Sequence, residues 1–322
     1  MPTLTAYYGN NEEGAQYIQQ MFERAAPFLR AGPSCNCPRP EFFVQSTRHR
    51  LQSGNLSISV LRRIMSVSTR AIVASRQAET SPEEWNARVE LAACYRIFDM
   101  LGWTEMIFNH ITLRLPGPQR HFLINPYGLW YGEVTASNLV KIDLDGNLIG
   151  PSEWPINRAG FVIHSAIHAA REDAHCIMHT HTTAGMAIAC QRDGLAPDNF
   201  YSALMYGQVA YHAFEGVTVR DDEKARLVRS LGDKSYLVLR NHGLLVCGRT
   251  APEAFLRMWT IERACQIQHA AQATGRPLIE LPADVLERTR MPHQLEPGDP
   301  IDRKVFTALL RRVDAIDQSY RT

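Results

Sequence analysis

The run His175-Cys-Ile-Met-His-Thr-His181 constrains the fold more than any other stretch, because it is short, apolar and yet carries histidines at 179 and 181. A run of this length reads as a buried strand. Side chains alternate along a strand, so His179 and His181 share one face of a sheet and Thr180 points to the other. Two imidazoles fill a core poorly: each needs hydrogen-bond partners, and together they repel if protonated, a conflict that a bound cation relieves by holding both neutral. The pair is therefore either two metal ligands or two satisfied core histidines. Asn241-His242-Gly243 follows a second buried run, Ser235 to Arg240, and supplies a third imidazole at a strand end, where functional side chains gather. Taken alone, His242 reads as a turn residue bonded to backbone, with Gly243 permitting a tight turn that aims it back at the sheet. Taken together, His179, His181 and His242 form a three-histidine set with open coordination positions, as in catalytic rather than structural zinc sites. Such a set also suits Fe2+ or Mn2+.

The surrounding punctuation defines the architecture. Ser81-Pro82-Glu83-Glu84 is a helix start, with a capping serine, proline at the first helical position and early acidic residues, and the helix runs to about Leu101 before Gly102. Strand-like runs follow at 106–115 and 120–128, and at 141–150 with a turn signal at Asp145-Gly146. Residues 157–171 carry apolar side chains at mostly helical spacing. Thr250-Ala-Pro-Glu253 is a second capping box and opens a helix that ends near Gly275. After Pro277 the chain reads as loop until a charged helix from about Ile301. Alternating helices and strands of this kind predict an α/β fold in which helices sandwich a mainly antiparallel sheet.

Composition sets outer bounds. With 322 residues and 45% hydrophobic content the chain can fill an ordinary core. The balance of 34 basic against 33 acidic residues gives no polyanion-binding surface, so neither nucleic acid nor a membrane face is expected as partner. No apolar run reaches membrane-spanning length and no secretory signal is visible, which predicts a cytoplasmic protein. Seven scattered cysteines, an odd number, fit reduced thiols, and Cys35-Asn-Cys37 reads as a loop rather than a soft metal site. Residues 1–64 hold seven arginines, four acidic residues and one short helical pattern around Gln16 to Leu29. They are expected to be a weakly ordered extension, or no part of the functional product. A main domain is expected over 65–280 and a tail with its helix over 281–322.

Four ordered motifs carry a family resemblance: FNHITLRLP, FLINPYG, HTHTTAGMAIA and RNHGLLVCG. From about Pro82 to Gly275 the chain resembles the class II aldolase/adducin superfamily, and wording such as INRAGFVIHSAIHAARED is closer to its adducin-head-like branch. The resemblance implies a three-layer α/β/α fold and a divalent metal, zinc first, on His179, His181 and His242. It further implies a homotetramer acting on a small-molecule substrate. Asn109, Asn125 and Gly128 correspond to its substrate-holding segments, with Tyr127 departing from the small hydroxyl residue usual there.

In the sugar-phosphate aldolases of this superfamily a glutamate lies nineteen residues before the first paired histidine and serves as acid/base; here that position is Gly160, preceded by Arg158 and Ala159 instead of serines that help to hold phosphate. Proton abstraction from carbon still needs an acceptor. Candidates are Glu153, His164 with His168 one turn on, Tyr211 with His212 and Glu215, and His110 beside Asn109; each also has a plain structural use as a loop carboxylate, a helix-packing group or a strand end. Three functions remain open: a metal-dependent lyase acting on a keto or hydroxy acid, an Fe(II)-dependent oxidative decarboxylase, and a non-catalytic adducin-like interaction domain.

Overall fold

A computed structural model describes residues 76–217, 220–290 and 301–322. Thr80–Thr322 form one compact unit. The boundary at 64/65, the helical pattern of Gln16 to Leu29 and the Cys35/Cys37 pair lie outside the described residues.

Helix α1 (Pro82–Leu101) starts where Ser81 Oγ accepts a hydrogen bond from Glu84 N at 3.2 Å and ends at Gly102, whose φ of 70° closes the last turn. Strands β1 (His110–Arg114), β2 (Phe122–Ile124) and β3 (Val140–Ile142) then form an antiparallel meander. Helix α2 (Arg158–Ala170) is capped by Asn157, and β4 (Cys176–Thr180) returns through the sheet centre. Two short helices, α3 (Thr183–Ala189) and α4 (Phe200–Leu204), lead to β5 (Val209–His212) and α5 (Lys224–Leu231). Strands β6 (Tyr236–Leu239) and β7 (Gly243–Gly248) make a tight hairpin, after which Thr250 Oγ1 accepts from Glu253 N and starts α6 (Ala251–Gln272). The chain continues through α7 (Ala283–Thr289) to α8 (Ile301–Ile316), which packs on α1 and α6.

The seven strands lie in the order β3-β2-β1-β4-β7-β6-β5, antiparallel throughout except for β5 beside β6. One face is covered by α1 and α6, with Leu91, Phe98, Ile111, Met178, Leu244 and Phe255 in a common core. On the other, α2 and α5 bury Ile163, Ile167, Ile177, Leu227 and Leu245. This is the α/β/α sandwich expected from the sequence. Helix α7 was not expected, since its seven residues carry only Leu286 into the core.

Strand polarity explains why chemistry collects at one end. Strand β1 begins where β2, β4, β5 and β6 end and where β7 begins, so Asn109, Asn125, His181, His212 and His242 all lie toward the same edge of the sheet. Among the described residues no helix is long and apolar enough to cross a membrane, and the five cysteines present are free.

Candidate metal centre

The strand alternation holds at β4. Thr180 faces α6, where its hydroxyl meets Met258 Sδ at 3.5 Å, while His179 and His181 turn to the opposite face. His179 is 1% exposed, and its Nδ1 lies 2.8 Å from Leu244 O. A carbonyl only accepts, so Nδ1 carries the proton and Nε2 presents a bare lone pair. That Nε2 is 2.8 Å from His181 Nε2. One ring nitrogen from each of His179, His181 and His242 lies within 4.8 Å of the others, and the three ring centroids are 4.6 to 4.8 Å apart.

His242 reaches this position through the β6–β7 turn. The left-handed residue is Asn241, with φ of 57°, and His242 N donates to Leu239 O at 3.1 Å. Gly243 has a different role from the turn-forming one expected. A Cβ there would collide with Thr180 O and press on the His181 and His179 rings at 3.1 and 3.3 Å, so glycine is needed for close approach of β7 to β4. On the other side of the pair, Thr182 donates to the buried Glu262 at 2.5 Å and fixes the chain just after His181.

Burial, followed by the neighbouring imidazoles, pushes His179 well below the ordinary histidine range and His242 down to about 4; burial lowers His181. All three are neutral near pH 7 and offer lone pairs. The donor set fits a divalent ion: three neutral imidazoles converge, and the outer nitrogen of His179 is anchored on a backbone carbonyl, as metal-ligating histidines usually are.

Behind this triad stands a second row of histidines on the same sheet face. His110 pairs with His179 across β1 and β4, with rings 5.1 Å apart, and its other side meets His164 at 4.3 Å. A Cβ on residue 160 would lie 2.7 Å from the His110 ring, which therefore fills the space that a side chain from the start of α2 would take. Further along β1, Thr112 Oγ1 lies 2.8 Å from both His164 Nδ1 and His168 Nε2, and His168 Nδ1 lies 2.9 Å from Ala174 O. Next on that face, Arg114 donates to Arg171 O at 3.0 Å and to His168 O at the C-terminal end of α2.

The remaining predicted residues divide clearly. His164 is fully buried in this second row. Asn109 and Asn125 are each 1% exposed on the α1 side: Asn109 Nδ2 donates to Trp103 O at 3.5 Å, and Asn125 meets the Tyr95 hydroxyl at 3.0 Å, so they support their loops from behind. Gly128 has φ of 109° and packs near Trp154. Glu153 is exposed in the loop before α2 and has no hydrogen bond or ion pair with the described residues. The Tyr211 hydroxyl accepts from Leu195 N at 3.0 Å and its ring carries Arg240, so it is not brought to the histidines. His212 faces Ser230 at 2.9 Å and Glu223 at 3.3 Å, while Glu215 pairs with Arg226. His110, named with the other candidates from the sequence, is the group the structure places beside the triad. Its signal was the alternation His110, Thr112, Arg114 opposite His164 and His168.

The model of the class II aldolase and adducin N-terminal domain matches residues 89–269. The chain belongs to this family. It is 43% identical over 257 residues to a Pseudomonas aeruginosa protein provisionally named an aldolase class 2 protein, covering 78% of this chain and 98% of that one. Rat α-adducin is 43% identical over 249 residues, which are 73% of this chain but 34% of the adducin. Among solved structures, an aldolase II superfamily protein from Pseudomonas syringae superposes with a TM-score of 0.72 at 44% identity, covering 76% of this chain and 99% of that one. An L-fuculose 1-phosphate aldolase from Glaciozyma antarctica gives 0.65 at 28% identity, covering 74% and 93%.

Proposed function

We propose that the protein is a metal-dependent carbon–carbon lyase that cleaves a small keto or hydroxy acid by a retro-aldol or decarboxylation route. The observation that carries this is the convergence of three neutral imidazole nitrogens from His179, His181 and His242 at the functional end of the sheet. When bound there, a divalent ion, zinc first with Fe2+ or Mn2+ as alternatives, would polarise a substrate oxygen and stabilise negative charge developing on it. The chain supplies the rest. Leu244 O fixes the His179 tautomer, Glu262 and Thr182 fix the strand end, and Asn109 and Asn125 hold the loops that flank the site. Gly160 offers no carboxylate, and the imidazole of His110 occupies its side-chain space. Arg158 and Ala159 stand where the sugar-phosphate aldolases carry phosphate-holding serines, which favours a small acid over a sugar phosphate. The same proposal includes a homotetramer acting in the cytoplasm, with neither nucleic acid nor membrane as partner.

A second reading, a non-catalytic interaction domain, is favoured by the identity to α-adducin together with Gly160. Metal analysis of the protein as isolated, with His179→Ala and His242→Ala alongside, separates the two. About one ion per chain, lost in both variants, is expected of the lyase. A wild-type protein without metal overturns it and leaves the interaction domain.

A further inference from the structure

Strand β1 carries His110, Thr112 and Arg114 on one face, and Arg114 stands at the end of the sheet opposite the metal centre, roughly 13 Å along the strand from His110. There Arg114 N donates to His175 O at 2.7 Å, just before β4 begins. The Arg114 side chain is 6% exposed. Its Nη2 donates to the carbonyls of His168 and Arg171, its Nη1 reaches Glu172 Oε2 at 3.3 Å, and its Nε has no partner among the described residues. Arg120 pairs with the same carboxylate and donates to Ala169 O at 3.2 Å. Two guanidinium groups therefore share one carboxylate, whose side chain is 73% exposed. The neighbouring Asp173 is taken by Arg171 at 2.6 Å. Carbonyls at the end of α2 supply only about half a negative charge, so positive charge remains in excess. Burial, followed by the charge of Arg120, accordingly lowers the Arg114 pKa from its ordinary value.

These groups line a cavity of about 320 Å³ together with Pro116, Gly117 and His175. Its walls include the exposed side chains of Glu172 and His175, so solvent reaches it. We propose that this cavity binds a small, doubly charged oxyanion of the phosphate type between Arg114, Arg120 and His175. The charge count selects a dianion: a monoanion in place of Glu172 would leave the excess unchanged, whereas a dianion neutralises both guanidinium groups. Tetrahedral oxygens let each arginine keep N–H bonds of its own, which one shared carboxylate cannot do. Arg114 offers the Nη1 that now meets Glu172, and Glu172, exposed over most of its side chain, swings out into solvent. The site is separate from the metal centre, and its test does not depend on the lyase reading.

Calorimetric titration of the full chain as isolated with inorganic phosphate, at about pH 8 and constant ionic strength, tests this. Arg120→Gln removes one guanidinium and is expected to weaken binding about tenfold, the equivalent of about 1.4 kcal/mol. Glu172→Gln removes the resident competitor and is expected to tighten binding several-fold. Opposite shifts from these two variants support the site, since phosphate held by a metal ion at the other end of the sheet responds to neither. In the wild type, acetate is expected to bind at least about tenfold more weakly than phosphate, which checks the need for a double charge without any variant. No saturable phosphate binding, acetate binding as tight as phosphate, or the absence of opposite shifts overturns the proposal.

Discussion

Thr112 gives the sharpest energetic test of the second histidine row. It is fully buried, and its single hydroxyl serves two imidazoles at 2.8 Å each. Ala174 O can only accept, so His168 holds its proton on Nδ1 and its Nε2 accepts from Thr112, which in turn accepts from His164 Nδ1. Thr112→Val keeps the shape and removes both bonds, stranding a donor on His164 and an acceptor on His168. Each stranded group costs about 1–3 kcal/mol, so the variant is expected to lose roughly 2–6 kcal/mol. Typical domains hold only about 5–15 kcal/mol, so a fall of this size is easily measured. Thr112→Ser restores the hydroxyl and gives up one methyl group, with an expected loss of about 1 kcal/mol. Urea unfolding at constant slope reads both. If valine costs less than about 1 kcal/mol, or serine is as damaging as valine, the hydroxyl does not organise the histidines and their deduced tautomers fall with it.

Acid should unfold the metal-free protein early. Burial holds His168 at about 3, so the unfolded chain binds protons first as pH falls below the ordinary histidine value of 6.5. Stability from this group is therefore complete above that pH and lost from there down toward pH 3, at up to about 1.4 kcal/mol per unit. His110, also near 3, adds to the slope, and a urea midpoint that stays flat from pH 7 to pH 5 would contradict the burial argument. Gly243→Ala is expected to abolish metal retention and lower the melting temperature together, because its Cβ meets the Thr180 carbonyl and two ligand rings. Normal metal content in a folded Gly243→Ala protein would show that β7 can move aside.

Much of this was legible in the chain because the relevant signals are local. Ser81, Asn157 and Thr250 cap helices through contacts within two or three residues, and the alternation of His179, Thr180 and His181 follows from strand geometry alone. His242 was legible as a strand-end residue next to a glycine, although the physical need for Gly243 was not: it lies in the backbone of β4, at Thr180, 63 residues away by sequence. His110 was hidden for the same reason. Its importance comes from a ring filling an absent side chain on a helix fifty residues later. Tyr211 shows the converse. It belongs to a suggestive motif, yet strand alternation sends its ring to Gly194 and Arg240 on the side away from α5.

The contact between His110 and Gly160 also limits how such a site can change over generations. Any side chain at 160 meets the imidazole at 2.7 Å, so a carboxylate cannot be introduced there while residue 110 remains histidine. Shrinking residue 110 first opens a gap next to His179, which must be tolerated until residue 160 grows into it. The route from an imidazole to a carboxylate at this position therefore has an order, with position 110 moving first, and passes through an intermediate that has neither group.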